Sequence, residues 1–174
     1  MDTFFEQIVS INKTAKTSLL LIGIWVLAFV ISALVFIFLF GSSFSFLALL
    51  LIFGAFYGAY KLTGLLSVEY EYIITNGTMD IDKITAKSSR KRMTSFELAN
   101  VERIEKYNMN AKPVGNYSKT VIACNENDPS AYFMVVSKEG KGNELIVFSP
   151  NDRIRGAIVK FLPKFISNSA FKGE

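Results

Sequence analysis

The sequence predicts a membrane α + β protein, in which two transmembrane helices precede a domain of about seven short strands closed by one α-helix. Two uncharged apolar runs predict the helices, and alternating segments around an Asn-Gly pair predict the strands. An amphipathic segment near the C-terminus predicts the closing helix. The 174 residues suffice for one small domain beside the two spans. The patterns divide the chain into residues 1–17, 18–62, 67–165 and 166–174.

The first apolar run, residues 18–40, contains no charged side chain. At about 1.5 Å per residue its helix would extend roughly 34 Å, more than the ~30 Å hydrocarbon core of a bilayer. The second run, residues 44–62, would reach roughly 28 Å. Because the first run is too long for the apolar part of a signal peptide and no A-x-A site follows it, we expect it to be retained.

Basic residues predict the orientation of this helical hairpin. The connection "GSSFS" contains no Lys or Arg, whereas Lys13 and Lys16 precede the first helix and Lys61 closes the second. The positive-inside rule therefore places both termini in the cytoplasm, with a multi-pass anchor in the plasma membrane.

The segment 1–17 shows a helical apolar pattern. Its apolar side chains lie on roughly one helical face, namely Phe4, Phe5, Ile8, Val9 and Ile11. This pattern predicts an amphipathic helix lying on the inner leaflet.

Gly54 and Gly58 in the second apolar run have GxxxG spacing, which lets two helices approach closely. We expect them to pack against the first helix of the same chain. Contact with another copy of the chain is the alternative.

Short alternating segments follow the helices. Asn76-Gly77 is a strong signal for a two-residue β-hairpin turn. Further strands are predicted at Met93–Leu98, Val101–Tyr107, Lys119–Cys124, Ala131–Ser137 and Glu144–Ser149. The closing helix is predicted to have Ser149 as N-cap, Pro150 at its first position and Asp152 in the capping box, and to end at Pro163.

This order resembles bacterial pleckstrin-homology-like (PH-like) domains that follow a pair of membrane helices, as in Clostridia-type bacteria. The residues that carry the resemblance are Tyr72 to Thr75, Arg90 to Arg92, Ser95 to Glu105 and Ser149 to Leu162. The resemblance implies a fold and a location, because the fold serves lipid binding, peptide binding and scaffolding alike. Phosphoinositide-binding relatives carry basic residues at the first hairpin turn, whereas "TNGT" carries none, so inositol phosphate binding is not inferred.

A basic run follows the hairpin, with Lys87, Arg90, Lys91 and Arg92. A two-residue turn at Asn76-Gly77 returns the second strand toward the membrane end of the first. We therefore expect these four side chains to contact anionic headgroups of the inner leaflet. Ion pairing within the domain and an acidic partner surface are the alternatives. Acidic residues are interspersed and no stacking aromatic motif accompanies the run, so nucleic acid is not an expected partner.

The same register places Glu69, Glu71, Asp80 and Asp82 on one face of the hairpin. Like charges facing each other are destabilising, so something must compensate. A neighbouring Lys or Arg is the favoured explanation, before a shifted register or a bound cation such as Ca²⁺.

No catalytic constellation is apparent. The chain has no His, which excludes His-based triads, and Cys124 lies in an apolar segment that predicts a buried strand residue. We expect a non-catalytic adaptor without cofactor or metal, which docks a protein partner at the inner leaflet. Lipid or ligand sensing, a homo-oligomer, and an accessory subunit of a transporter or secretion complex are the alternatives.

Overall fold

The structure, a computed structural model, describes residues 3–109 and 113–171. The chain forms a helical unit and a β-rich unit. The helical unit comprises Asn12–Val68 and Thr85–Ser88, and the β-rich unit comprises Met1–Ile11, Glu69–Ile84 and Ser89–Glu174. The helical hairpin is thus inserted into the chain of the β-rich unit.

The two predicted apolar runs form helices α1 (Ala15–Leu39) and α2 (Ser45–Leu65). Helix α1 begins three residues before the predicted apolar run, because the Thr14 side chain caps it and accepts a hydrogen bond from the Thr17 amide. Both helices are long and apolar enough to cross a bilayer.

The helices of this hairpin pack through small side chains. Ala28 and Ser32 of α1 and Ala48 and Ala59 of α2 are buried. The prediction that Gly54 and Gly58 pack against α1 is wrong, since a Cβ at either position would meet no atom within 4 Å. Each helical position is rotated by about 100° from the next. Ala59 is buried, whereas the adjacent Gly58, one such rotation away, is only half-buried and Gly54 is exposed.

The first sheet contains β1 (Phe4–Ser10), β2 (Val68–Thr75), β3 (Thr78–Thr85) and β4 (Ser89–Glu97), in that order. The predicted hairpin at Asn76-Gly77 is confirmed, because β2 ends before this pair and β3 begins after it. Both turn residues have positive φ, 48° and 90°, as expected for an Asn-Gly turn.

Strand β1 corrects the prediction of an amphipathic helix within residues 1–17. It pairs antiparallel with β2 from Phe4 opposite Thr75 to Ser10 opposite Glu69. Side chains alternate along it, with Phe5 and Val9 packed on the core and Phe4 and Ile8 exposed. The Phe-Phe and Ile-Val pairs fit both a helical period and an alternating one. Seven residue pairs with a neighbouring strand satisfy the backbone better than a short surface helix.

The second sheet contains β5 (Val101–Lys106), β6 (Lys119–Ile122), β7 (Tyr132–Lys138) and β8 (Gly142–Phe148), in the order β5-β7-β8-β6. The expected barrel or roll of about seven strands is therefore corrected to two four-stranded sheets with open edges. The extra strand is β1. Strand β6 lies parallel to β8 at an edge of the second sheet rather than pairing with its neighbour in sequence.

The closing helix α3 (Asp152–Phe161) packs Ile154, Ala157 and Ile158 into the core, and a short helix α4 (Lys164–Ser167) follows. The main core joins both sheets to α3. Its largest fully buried side chains include Tyr72, Ile74, Met79, Ile81, Leu98, Met134, Ile146 and Phe148. The amphipathic pattern of the C-terminal segment thus predicted the helix and its buried face.

The start of α3 differs from the prediction. Asn151, not Ser149, is the N-cap, and its side chain accepts a hydrogen bond of 2.9 Å from the Ile154 amide. The Ser149 hydroxyl instead donates to the Asp128 carboxylate at 2.7 Å. The helix ends at Phe161, shortly before Pro163, because proline cannot continue the hydrogen-bond pattern.

Candidate functional site

The predicted basic run lies on two elements of the structure. Lys87 belongs to the turn between β3 and β4, whereas Arg90, Lys91 and Arg92 lie at the start of β4. All four side chains are exposed. The positive charge of the run is therefore exposed both on the turn before β4 and on the first residues of β4.

The two arginines of β4 pair with the acidic residues of the neighbouring strands. Arg90 lies 2.8 Å from the Glu71 carboxylate, and Arg92 lies 2.9 Å from Asp80 and 3.1 Å from Asp82. These ion pairs confirm that neighbouring basic side chains compensate the acidic face. No cluster of carboxylates suited to a metal ion occurs among residues 3–109 and 113–171.

Glu71 is the most deeply buried carboxyl group on this face. Its side chain is fully buried, whereas that of Arg90 is 57% exposed. Burial raises the pKa of Glu71, and the nearby carboxyls of Glu6 and Asp82 raise it further, against the attraction of Arg90. The arginine therefore offsets only part of the cost of a buried negative charge.

Arg90 and Arg92 are thus engaged within the domain, although more than half of each side chain is exposed. Lys87 and Lys91 have no carboxylate within 4.0 Å in the described part of the chain. Contact of the four residues with lipid headgroups remains a prediction.

A cavity of about 430 Å³ lies within the helical unit. Three lysines line it from three separate segments: Lys13 before α1, Lys61 in α2 and Lys87 in the turn between β3 and β4. The hydroxyl-bearing side chains of its lining are those of Tyr60, Thr63, Ser67 and Ser88, and Trp25 also lines it. No lining residue is acidic, so the cavity is suited to an anion.

Sequence reasoning found only one of these lysines as a binding residue. Lys13 and Lys61 were used to orient the helices, and nothing in their spacing joins them to Lys87. The turn brings Lys87 to the end of the hairpin, where the Ala86 amide donates to the Ser67 carbonyl at 3.0 Å. A sequence signal for this cluster was present, since Lys13 precedes α1 and Lys61 lies near the end of α2, which is the same end of the helical hairpin.

The hairpin turn at Asn76-Gly77 lines a second, smaller cavity of about 240 Å³. Its lining residues are Asn76, Gly77, Thr78, Glu97, Ala99 and Phe161. None of them is basic, which agrees with the uncharged turn in the sequence. The lining of this cavity therefore offers no cation for an inositol phosphate.

Cys124 is buried, as expected, but it follows β6 rather than lying in a strand. Burial raises the pKa of its thiol to about 11, which leaves it protonated and unreactive at neutral pH. Nearby, the Tyr72 hydroxyl donates to the Ala123 carbonyl and accepts from the Ser149 amide. These groups hold the core together and do not form a nucleophilic site.

Comparison with known proteins identifies a protein family. The family model described as bacterial PH-like domain (DUF6106) matches residues 1–168, a range that includes β1 and both helices of the hairpin. No curated protein and no solved structure matches the chain.

Proposed function

The chain belongs to the bacterial PH-like domain family DUF6106, and on this premise we propose that it is a non-catalytic adaptor anchored in the bacterial plasma membrane. In this role its PH-like domain docks a protein partner or a larger complex at the inner leaflet. The observation that carries the proposal is the insertion of an apolar helical hairpin between two paired strands, β1 and β2.

The surface of the hairpin supports membrane anchoring. Only four residues of α1 and α2 are buried, and these are the small residues between them. The large apolar side chains point outward, with Leu19, Phe38, Phe46 and Phe53 each more than 70% exposed. Apolar surface of this extent is rare on soluble monomers, and a bilayer would cover it.

The positions of the lysines support a cytoplasmic domain. Lys13, Lys16 and Lys61 lie at the end of the hairpin that joins the β-rich unit, whereas residues 40–44 at the other end carry no charge. By the positive-inside rule, this distribution supports a cytoplasmic location for β1 and for the strands that follow α2.

The connections limit how far the domain can move from the membrane. Four residues separate β1 from α1, and two separate α2 from β2. At no more than about 3.8 Å between consecutive Cα atoms, α2 is tied to β2 within roughly 11 Å in any orientation. Two short tethers to adjacent strands would keep the start of the domain, and with it a docked partner, close to the leaflet.

Two alternatives have specific support. The lysine-lined cavity favours lipid sensing. The open surface at Gly54 and Gly58 favours contact with a second membrane protein or another copy of the chain, as in an accessory subunit.

Native mass spectrometry of the full chain, extracted gently from its own membranes, tests the adaptor proposal. We expect a discrete heavier species that contains a second polypeptide. Recovery of only the bare chain, or of a homo-oligomer with phospholipid, would contradict docking of a protein partner.

The double variant Gly54→Leu/Gly58→Leu separates the helices from the domain in this experiment. If the PH-like domain carries the contact, the heavier species survives the change. The matched control is Gly23→Leu, which places the same side chain at another open position, on α1. Loss of the partner in the double variant but not in the control would assign the contact to α2.

A further inference from the structure

The cavity of the helical unit combines three lysines with aromatic side chains in its lining. Lys13, Lys61 and Lys87 line it, and among the described residues none of the three lies within 4.0 Å of a carboxylate. Lys61 also lies over the Tyr57 ring, at 5.6 Å from its centroid. Three like charges around one space repel each other, and a bound anion would relieve that repulsion.

The geometry of the lining indicates an amphiphilic ligand. Trp25 lies ten residues beyond Ala15, the first residue of α1, which corresponds to roughly 15 Å along the helix. The lining therefore extends from the lysines at the hairpin end toward the apolar middle of α1. Its volume of about 430 Å³ lies within the range of about 300–1,000 Å³ that is usual for ligand pockets.

The turn that carries Lys87 has an uncommon backbone. Ala86 and Lys87 have φ of 55° and 54°, and the Ser88 amide donates to the Thr85 carbonyl at 3.2 Å. Other residues than Gly and Asn rarely adopt this left-handed conformation. The favoured pair Asn-Gly forms the other hairpin turn of the same sheet, so a lysine here is not explained by the needs of the turn.

We infer that this cavity binds the phosphate of an anionic phospholipid headgroup, with the lysines around the phosphate and the lipid chains beside Trp25. The inference rests on membrane anchoring but not on docking of a protein partner. It assigns Lys13 and Lys61, together with Lys87, to one lipid site. Exposed Lys91, four residues from Lys87, does not line the cavity, so its expected contact with the leaflet would lie outside this site.

Trp25 provides the measurement, because it is the only tryptophan of the chain and lines the cavity. The full chain in an uncharged maltoside detergent is titrated with dihexanoyl phosphatidylglycerol, with dihexanoyl phosphatidylcholine or with inorganic phosphate. Tryptophan emission is followed in each titration. We expect a saturable change with the phosphatidylglycerol only.

Lysine variants locate the site. We expect Lys13→Gln, Lys61→Gln and Lys87→Gln each to weaken phosphatidylglycerol binding about fivefold, which is the effect of about 1 kcal/mol per basic residue near anionic lipid. Lys91→Gln, the control with the same loss of charge, should change the affinity less than twofold. Lys87→Arg should retain binding, and thermal unfolding of each variant confirms that it is folded.

Three results would overturn the inference. An equal effect of Lys91→Gln would mean diffuse attraction rather than a site. Equal binding of phosphatidylcholine would mean that the net negative charge of the headgroup is not recognised. Equal binding of inorganic phosphate would mean that the site recognises a phosphate group without the rest of the lipid. Membrane anchoring is tested separately: release of the chain from membranes by alkaline carbonate would contradict the anchor itself.

Discussion

Glu71 shows how a single residue links the charge pattern of the sequence to stability. The sequence placed it on an acidic face and predicted compensation by the basic run, which the ion pair with Arg90 confirms. It did not predict the approach of Glu6, because the N-terminal segment was expected to be a helix. Glu6 comes close to Glu71 because β1 pairs with β2, which places Glu6 opposite Ile73, a residue more than sixty positions away in the chain.

The raised pKa of Glu71 predicts a dependence of stability on pH. The native state holds this proton more tightly than the unfolded state, whose pKa is near 4.5. The unfolded chain therefore loses its proton first as the pH rises. The contribution of Glu71 is greatest below pH 4.5 and is lost as the pH rises through the higher native pKa.

We expect Glu71→Gln to remove this loss and to raise the free energy of unfolding at pH 7 by about 1 kcal/mol, the usual size of a single-residue effect. Thermal unfolding in detergent, followed by circular dichroism between pH 4 and 8, measures it. The control is Glu105→Gln, since a hydrogen bond from Arg103 lowers the pKa of this exposed carboxylate. That change should be neutral or slightly destabilising at pH 7. A clear destabilisation by Glu71→Gln would show that the ion pair with Arg90 outweighs burial.

At the scale of elements, sequence patterns predicted correctly those helices and turns that depend on neighbouring residues. The Asn76-Gly77 turn and the buried face of α3 follow from the residues themselves. The N-cap of α3 was displaced by two residues because Ser149 finds a distant partner in Asp128. The parallel position of β6 beside β8 has no local signal, since pairing of distant strands depends on the whole fold.

The turn between β3 and β4 allows strain and charge to be separated. Ala86→Gly and Lys87→Gly each remove one left-handed residue that is not glycine. Removing the strain of one left-handed residue should stabilise the fold by about 1–2 kcal/mol, and the greater freedom of glycine in the unfolded chain offsets part of this gain. We therefore expect each substitution to raise the free energy of unfolding by roughly 0.5–1 kcal/mol. Thermal unfolding checks this effect.

Only Lys87→Gly should weaken phosphatidylglycerol binding, about fivefold, because only this change removes a cavity lysine. The Trp25 titration compares the two variants directly. A similar loss in Ala86→Gly would show that the shape of the turn matters for the ligand rather than the ammonium group.

For the whole molecule, composition alone predicted two apolar helices and a separate β-rich domain, but not how they are connected. The sequence suggested an anchor followed by a domain. In the structure the domain begins before the two apolar helices, with β1, and resumes after them, with β2. The helical hairpin thus occupies the position of a loop between two adjacent antiparallel strands. An alternating run of seven residues gives no indication that its partner strand lies beyond two apolar helices.

This architecture predicts that the helices can be replaced by a turn. Ser10 lies opposite Glu69, so the next pair toward the helices is Ile11 and Val68. Replacing residues 12–67 with Asn-Gly would close β1 and β2 into a hairpin with a two-residue loop. We expect a water-soluble monomer that unfolds cooperatively, as measured by analytical ultracentrifugation and thermal unfolding.

The matched control is the fragment 68–174, which lacks β1. It leaves β2 as an unpaired edge and removes the packing of Phe5 and Val9 on the core. It also removes Gln7, whose side chain donates to the Ser149 carbonyl and accepts from the Asn151 amide. At roughly 1.5–3 kcal/mol for a fully buried apolar side chain, two half-buried ones and these hydrogen bonds make the fragment less stable by more than about 2 kcal/mol. Equal stability of the two proteins would show that β1 is not an integral strand, and the proposed double tether to the membrane would then lose its basis.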